Sequence, residues 1–239
     1  MDLVYIVKKA AYNFDLLYSL RSVDEFVTGF DRVFIAGYKP HYVSGIRSIP
    51  TKQNGTKWSN ALENVIAACK SPLVSDDFVL MNDDFFAIKP VDISECRFSR
   101  GSLTDKVKRI LEKPKRSLWE QGHVDVLDLL QQLKVRRRGD YSLHVPMIIN
   151  KQKFLAMVNL PEVQEFLATG KPLMFRTLYG NLYPEKTKKI EDVKIPKTED
   201  LSKRWTAGSW ISTYDGVIRN ARYPLLNEYL TQLPVSRWC

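Results

Sequence analysis

Through its first third the chain alternates short apolar runs with stretches of helical periodicity, and that alternation limits the fold more than any other feature. Leu3–Val7 has strand character. Asp15–Phe26 places Leu16, Leu17, Leu20, Val23 and Phe26 at helical spacing, and Gly29 closes it. Arg32–Ala36 predicts a second strand, and Val43–Ile49 contains a short third. Ser59–Cys69 puts Leu62, Val65, Ile66 and Cys69 on one helical face before Pro72 prevents continuation. Asp77–Met81 then reads as the central strand, with Asn82-Asp83-Asp84 at its carboxyl end. Strands separated by helices form a mostly parallel sheet flanked by helices, and such sheets bind ligands beyond the carboxyl ends of their strands.

After Pro90 the pattern loosens. Leu103–Leu111 and Val124–Leu133 read as helices, joined by the basic link Lys113-Pro114-Lys115-Arg116. Tyr141–Asn150 reads as a strand containing His144, and Lys151–Val158 and Pro161–Ala168 as short helices. Lys186–Lys197 reads as a Lys-rich surface loop or hairpin, Trp210–Tyr214 as a strand and Leu225–Leu230 as a last helix. With 239 residues, 44% of them hydrophobic, and no long polar linker, the expectation is one α/β domain.

No apolar run is long enough to cross a membrane, and no membrane partner is expected. The N-terminal Met1–Lys8 segment reads as a buried strand and not as a signal peptide. Cys69, Cys96 and Cys239 are few and far apart, which suggests reduced thiols and a cytoplasmic setting. The net charge of +9 is unevenly spread. Residues 1–100 hold 12 basic and 12 acidic side chains, whereas residues 101–239 hold 24 and 15. A basic second part suits a polyanionic partner or a merely solvated surface.

Adjacent carboxylates after an apolar strand have a definite use. A divalent cation such as Mg²⁺ or Mn²⁺ takes hard oxygen ligands, commonly one or two carboxylates together with substrate phosphates. It then neutralises a departing diphosphate. Aspartates at strand ends also make turns and caps, so Asp83 and Asp84 alone leave both readings open.

Several blocks around them resemble the Stealth-type sugar-phosphate transferases. Leu17-Tyr18-Ser19-Leu20-Arg21-Ser22 looks like that family's early helix, and Arg32-Val33-Phe34-Ile35-Ala36 like its following strand. Thr56-Lys57-Trp58-Ser59-Asn60-Ala61-Leu62-Glu63 is similar to a helix start of the family. Phe78–Phe86 is similar to its Asn-Asp-Asp block, and Leu143-His144-Val145-Pro146-Met147-Ile148 to its His-Pro block. Arg176 falls where the family carries a later arginine. The resemblance runs through the first ninety or so residues and then survives as short islands.

What this implies is a GT-A-like fold, a nucleotide-sugar donor, expected to be a UDP-sugar, and a divalent metal. Asp83 and Asp84 would hold metal and diphosphate, with Asn82 orienting a carboxylate or ribose hydroxyl. Arg21 would contact donor phosphates or pair with Asp24 or Glu25; Ser59, Asn60 and Glu63 would shape the nucleotide pocket or cap a helix. His144 would act as the acceptor's base or as a late metal ligand, and Arg176 would clamp a phosphate. Asp215 is a second candidate base or a turn residue. Residues 1–100 would form the nucleotide-sugar part and residues 101–239 a basic acceptor part of the same domain.

The chain departs from the family at Val7-Lys8-Lys9-Ala10, which lacks an acidic, glycine-containing turn, and around Arg176-Thr177-Leu178-Tyr179-Gly180-Asn181. These departures lie where the transferred group and the acceptor should sit, which leaves transfer of a sugar phosphate and of a plain glycosyl group both open. Basic runs at Lys106–Arg116, Lys134–Arg138 and Lys186–Lys197, near Trp119, Tyr141 and Tyr183, suit DNA carrying a hydroxymethylated base. The alternatives are sugar-1-phosphate transfer to a polysaccharide or other hydroxyl, and a non-catalytic nucleic-acid-binding protein on the same fold.

Overall fold

The computed structural model describes residues 1–10, 12–195, 208–213 and 224–239. In chain order the first part comprises β1 (Asp2–Val7), α1 (Phe14–Phe26), β2 (Val27–Thr28), β3 (Val33–Gly37), β4 (Arg47–Ile49), α2 (Lys57–Lys70), β5 (Asp77–Asn82) and β6 (Phe85–Ala87). Short strands β7 (Val91–Asp92), β8 (Phe98–Ser99) and β9 (Gly101–Ser102) lead to α3 (Leu103–Leu111) and α4 (Leu118–Gln132). Then come β10 (Gly139–Asp140), β11 (Met147–Asn150), α5 (Lys151–Val158), α6 (Pro161–Ala168), α7 (Phe175–Leu182), β12 (Lys188–Lys189), β13 (Trp210–Ser212) and α8 (Pro224–Gln232).

The main sheet has the order β11-β5-β1-β3-β4, parallel except for β11, which runs antiparallel to β5. The middle strand is thus β1, not β5 as the sequence suggested; β5 lies between β1 and β11. Both faces are covered, which explains why all six β1 residues are buried. Val4, Phe34 and Leu80 face a core with Val65 of α2, Val126 of α4 and Phe154 of α5. Leu3, Tyr5, Val79 and Met81 face the opposite core with Leu16 and Leu20 of α1.

Local chemistry sets the helix starts. Asn13 Oδ1 accepts from Leu16 N at 2.9 Å to cap α1, and Thr56 Oγ1 accepts from Ser59 N at 3.2 Å to cap α2. Helix α4 begins six residues before the expected Val124 because Ser117 and Glu120 close a reciprocal capping box. Helix α7 was not expected: its N-cap Met174 supplies no side-chain bond, and Gly180 lies inside it. That glycine is required by packing, since a Cβ there would sit 2.6 Å from the Tyr141 ring.

The expected strand over Tyr141–Asn150 is only half formed. Ser142 N and Oγ both donate to Asp140 Oδ1, at 3.0 and 2.5 Å, and Pro146 has no N–H to give a ladder. Regular pairing starts only at Met147. At the amino end of the sheet, buried Asp2 accepts two bonds from Arg32, at 3.0 and 2.9 Å, and two from Ser75, at 2.8 and 2.6 Å. No helix among the described residues is long and apolar enough to cross a membrane, and all three cysteines are free thiols.

Candidate active site

Beyond the carboxyl ends of β1 and β5 the surface opens into a cleft of about 1050 Å³. Asn82, Asp83 and Asp84 line one part of it, Lys8 and Gln53 another, and the first turns of α2 contribute Lys57, Trp58, Asn60, Ala61 and Asn64. Ile6, Arg100, Trp119, His144, Glu191, Asp192 and Lys194 complete the lining.

A glycine and a glutamine shape the β1 end of this cleft. Gly37 has φ +108°, and a Cβ there would lie 2.3 Å from Val7 O, so the two strand ends approach more closely than a side chain permits. Into this crossing Gln53 sends its amide: Nε2 donates to Val7 O at 2.7 Å and Oε1 accepts from Lys9 N at 2.9 Å. The side chain acts as one more rung of sheet and holds Lys8 at the cleft.

The two aspartates are held differently. Asn13, the α1 cap, donates from Nδ2 to Asp83 at 2.6 Å. Asp84 is only 6% exposed; Ser212 Oγ donates to its Oδ2 at 3.1 Å, and Lys194 Nζ lies 3.7 Å from the same oxygen. Beneath them Arg176 donates to Asn82 Oδ1 at 3.2 Å and to Val145 O at 2.7 Å, with its guanidinium 5.3 Å from the Phe85 ring centroid. Burial pulls that guanidinium down to about 10, and Asp84 offsets part of the effect. It remains charged at neutral pH and fastens the strand end to the segment carrying His144.

His144 is fixed at two points. Its backbone N–H donates to Asp192 Oδ1 at 3.0 Å, and Nδ1 lies 2.8 Å from Asp192 Oδ2. Burial works to raise the Asp192 carboxyl, but the bonds from His144 and the charge of Arg100 outweigh it and bring the group to about 2. An ionised carboxylate at Nδ1 requires a proton on that nitrogen and leaves Nε2 as the acceptor in the neutral ring.

The remaining expected residues divide sharply. Asn60 lines the cleft and clamps the preceding turn, its Oδ1 accepting from Gly55 N at 2.9 Å and its Nδ2 donating to Gly55 O at 3.1 Å. Ser59 and Glu63 do not line it. With about 100° per residue, the α2 face toward the cleft carries Asn60, Ala61 and Asn64, and Ser59 serves the α2 cap. Arg21 is also absent from the cleft. It lies two turns along α1 from the cap that reaches Asp83, roughly 12 Å by helical rise. There it stacks on Tyr18 at 5.2 Å, while Asp24, its expected partner, pairs with Arg237 at 2.6 Å. Arg176 lies under the cleft floor and not on its open wall. Asp215 lies outside the described residues.

Sequence reasoning missed Asn13, Asn64, Asp192, Lys194 and Ser212. By pattern Asn13 stands just before a helix and Asn64 inside one, and only the packing of α1 and α2 aims them at the site. Asp192 and Lys194 belong to the segment read as a Lys-rich surface loop; β12 pairs in parallel with β8, and Ile195 is buried, which folds that segment over the cleft.

The carboxylates suit a divalent cation in one respect. Asp83 and Asp84 supply hard oxygen ligands beside open space for phosphates and water, which is the donor set Mg²⁺ and Mn²⁺ accept. The expected trio with His144 is not assembled: no group of three His, Cys, Asp or Glu side chains able to hold an ion occurs among the described residues.

No family model matches the chain, and no curated protein sequence matches it. Among solved structures it is similar to the galactosyltransferase LgtC in complex with donor and acceptor sugar analogues. The TM-score is 0.54 at 12% identity, covering 98% of this chain and 95% of that one. An active-site variant of LgtC gives a TM-score of 0.51 at 12% identity with the same coverage. At that identity the likeness concerns architecture: a mostly parallel sheet flanked by helices, in the arrangement of the GT-A glycosyltransferases.

Proposed function

We propose that the chain is a glycosyltransferase that takes a nucleotide-sugar donor in the cleft and passes the sugar to an acceptor hydroxyl. The observation that carries this reading is the His144–Asp192 pair facing the same cleft as Asp83 and Asp84, on a GT-A fold. In this reading residues 1–100 form the donor side, and most of the acceptor side comes from residues 101–239.

The nucleoside packs near Trp58, Asn60 and Asn64, and the α2 N-terminus favours the negative charge of its phosphates. Lys8 and Lys57 meet the phosphates. Asp83 and Asp84 would hold a divalent metal, which would supply Lewis-acid stabilisation of the leaving diphosphate. His144 accepts the acceptor's proton at Nε2, and Asp192 keeps the ring in the required tautomer and stabilises the imidazolium that forms. Arg176 is a positioning residue that joins the metal-bearing strand end to the His144 segment.

For the acceptor, the basic surface of the second part favours an anionic molecule, with DNA bearing a hydroxymethylated base as one version. Transfer of a sugar phosphate in the Stealth manner is separated by product mass, since a phosphodiester retains a phosphate that a glycoside lacks. The test is a panel of nucleotide sugars with Mn²⁺, against modified DNA, unmodified DNA and simple glycosides, reading released nucleoside diphosphate. Release with UDP-sugars that disappears on chelation is expected. Absence of release and of metal-dependent nucleotide-sugar binding throughout the panel would refute the reading.

A further inference from the structure

The turn between α3 and α4 has a composition that the transferase chemistry does not use. Helix α3 buries Leu103, Lys106, Val107 and Ile110. Leu111 falls off that stripe and is 51% exposed, and Leu118, at the start of α4, is 69% exposed. These two are among five large apolar side chains left exposed in the described residues. Between and just before them lie Lys108, Arg109, Lys113, Lys115 and Arg116, all exposed, against the single acidic Glu112. Lys113 pairs with Glu120 at 2.5 Å. Lys108, Lys115 and Arg116 have no carboxylate partner among the described residues.

Leu118 is followed by Trp119, which lines the cleft. Trp119 is braced from within: Lys106 Nζ lies 4.6 Å from its ring centroid, and His123 meets it edge-on with centroids 4.2 Å apart. The exposed turn therefore adjoins the lining of the site.

We infer that the α3–α4 turn is a docking surface for an anionic lipid bilayer, with Leu111 and Leu118 entering the interface and the flanking Lys and Arg side chains contacting headgroups. Charge complementarity with anionic headgroups supplies the attraction, and leucines set among basic residues supply apolar burial, the two contributions that interfacial segments combine. A nucleic-acid partner would account for the basic residues but leaves the two exposed leucines without a role. The turn adjoins the cleft through Trp119, so an amphiphilic hydroxyl acceptor held in the bilayer would lie near the site. That last point rests on the transferase reading; binding to the bilayer does not.

The experiment is sedimentation of the full chain with vesicles of phosphatidylcholine alone and with phosphatidylglycerol added, at physiological ionic strength and without donor. Binding that requires phosphatidylglycerol is expected. The Lys115→Ala/Arg116→Ala pair should weaken it roughly 25-fold, at about fivefold per basic residue. Leu111→Ser/Leu118→Ser should weaken it about tenfold. Arg136→Ala/Arg137→Ala, an equal change of charge at exposed positions past the other end of α4, should bind as the parent does. The proposal fails if phosphatidylglycerol has no effect, if the leucine pair binds normally, or if the Arg136/Arg137 pair loses as much as the Lys115/Arg116 pair. It also fails if duplex DNA displaces the vesicles and its own binding is insensitive to the leucines. Because no donor is present, loss of this surface and loss of the transferase reading give separate results.

Discussion

The imidazole of His144 and the carboxylate of Asp192 meet at 2.8 Å across 48 residues of chain, and the same carboxylate also accepts the His144 backbone N–H. This double attachment sets both the position of the ring and the nitrogen that carries its proton. The Asp192→Asn variant keeps the shape but removes the charge that fixes the tautomer. Transfer should fall by about 10²-fold or more while nucleotide-sugar affinity stays the same. Single-turnover rates with a separate donor titration check this. An equal loss in both quantities would assign the pair a structural role.

Asp83 tests the donor side. Its carboxylate has a bond from Asn13 and lines open space, so Asp83→Asn should leave the fold intact. Mn²⁺-dependent binding of the donor should be lost with little change in melting temperature. Calorimetric titration of nucleotide sugar with and without Mn²⁺ gives the answer, and metal-dependent affinity equal to the parent's would remove Asp83 from the site.

Arg176 should affect stability and activity together. Its guanidinium lies part-buried under the cleft floor, and truncation leaves Asn82 Oδ1 and Val145 O without their donor and removes one of the cations near Asp84, which keeps Lys194 at 3.7 Å. Arg176→Ala is expected to cost about 3 kcal/mol in denaturant unfolding. Lys in its place should recover only part of this, because one ammonium does not reproduce a fork that serves two oxygens. Unfolding midpoints of both variants decide the matter.

A pH dependence follows from His123. Burial first, and then the charge of Lys106, hold its imidazole down to about 4. In the unfolded chain the group titrates near 6.5, so between these values the unfolded state binds the extra proton. The contribution to stability is complete above about pH 6.5 and is lost as the pH falls toward 4. Unfolding free energies measured across this interval should fall less steeply for His123→Gln than for the parent. Matching slopes would show that the ring titrates normally.

The layered sheet, the two helices that follow its first strands, and the location of Asn82-Asp83-Asp84 at a strand end were legible in the sequence. These depend on short-range properties: apolar runs, helical spacing and capping residues, each set by neighbours within a few positions. Helices α5 and α6 were bounded correctly for the same reason, with Asn150 capping one and Pro161 opening the other. Helix α7 lacked such signals, and the segment around His144 was misread because the Asp140 side chain competes for its backbone.

The site's composition is another matter. Which face of α2 turned to the cleft decided for Asn60 and Asn64 over Ser59 and Glu63, and the length of α1 carried Arg21 away. The partner of His144 came from a Lys-rich stretch whose pattern suggested only solvent, because pairing between β12 and β8 and burial of Ile195 draw it inward. Local patterns determine where a chain bends and which faces it hides. Partners separated by 48 residues, or by the 128 between Asp84 and Ser212, meet only through the packing of the whole sheet.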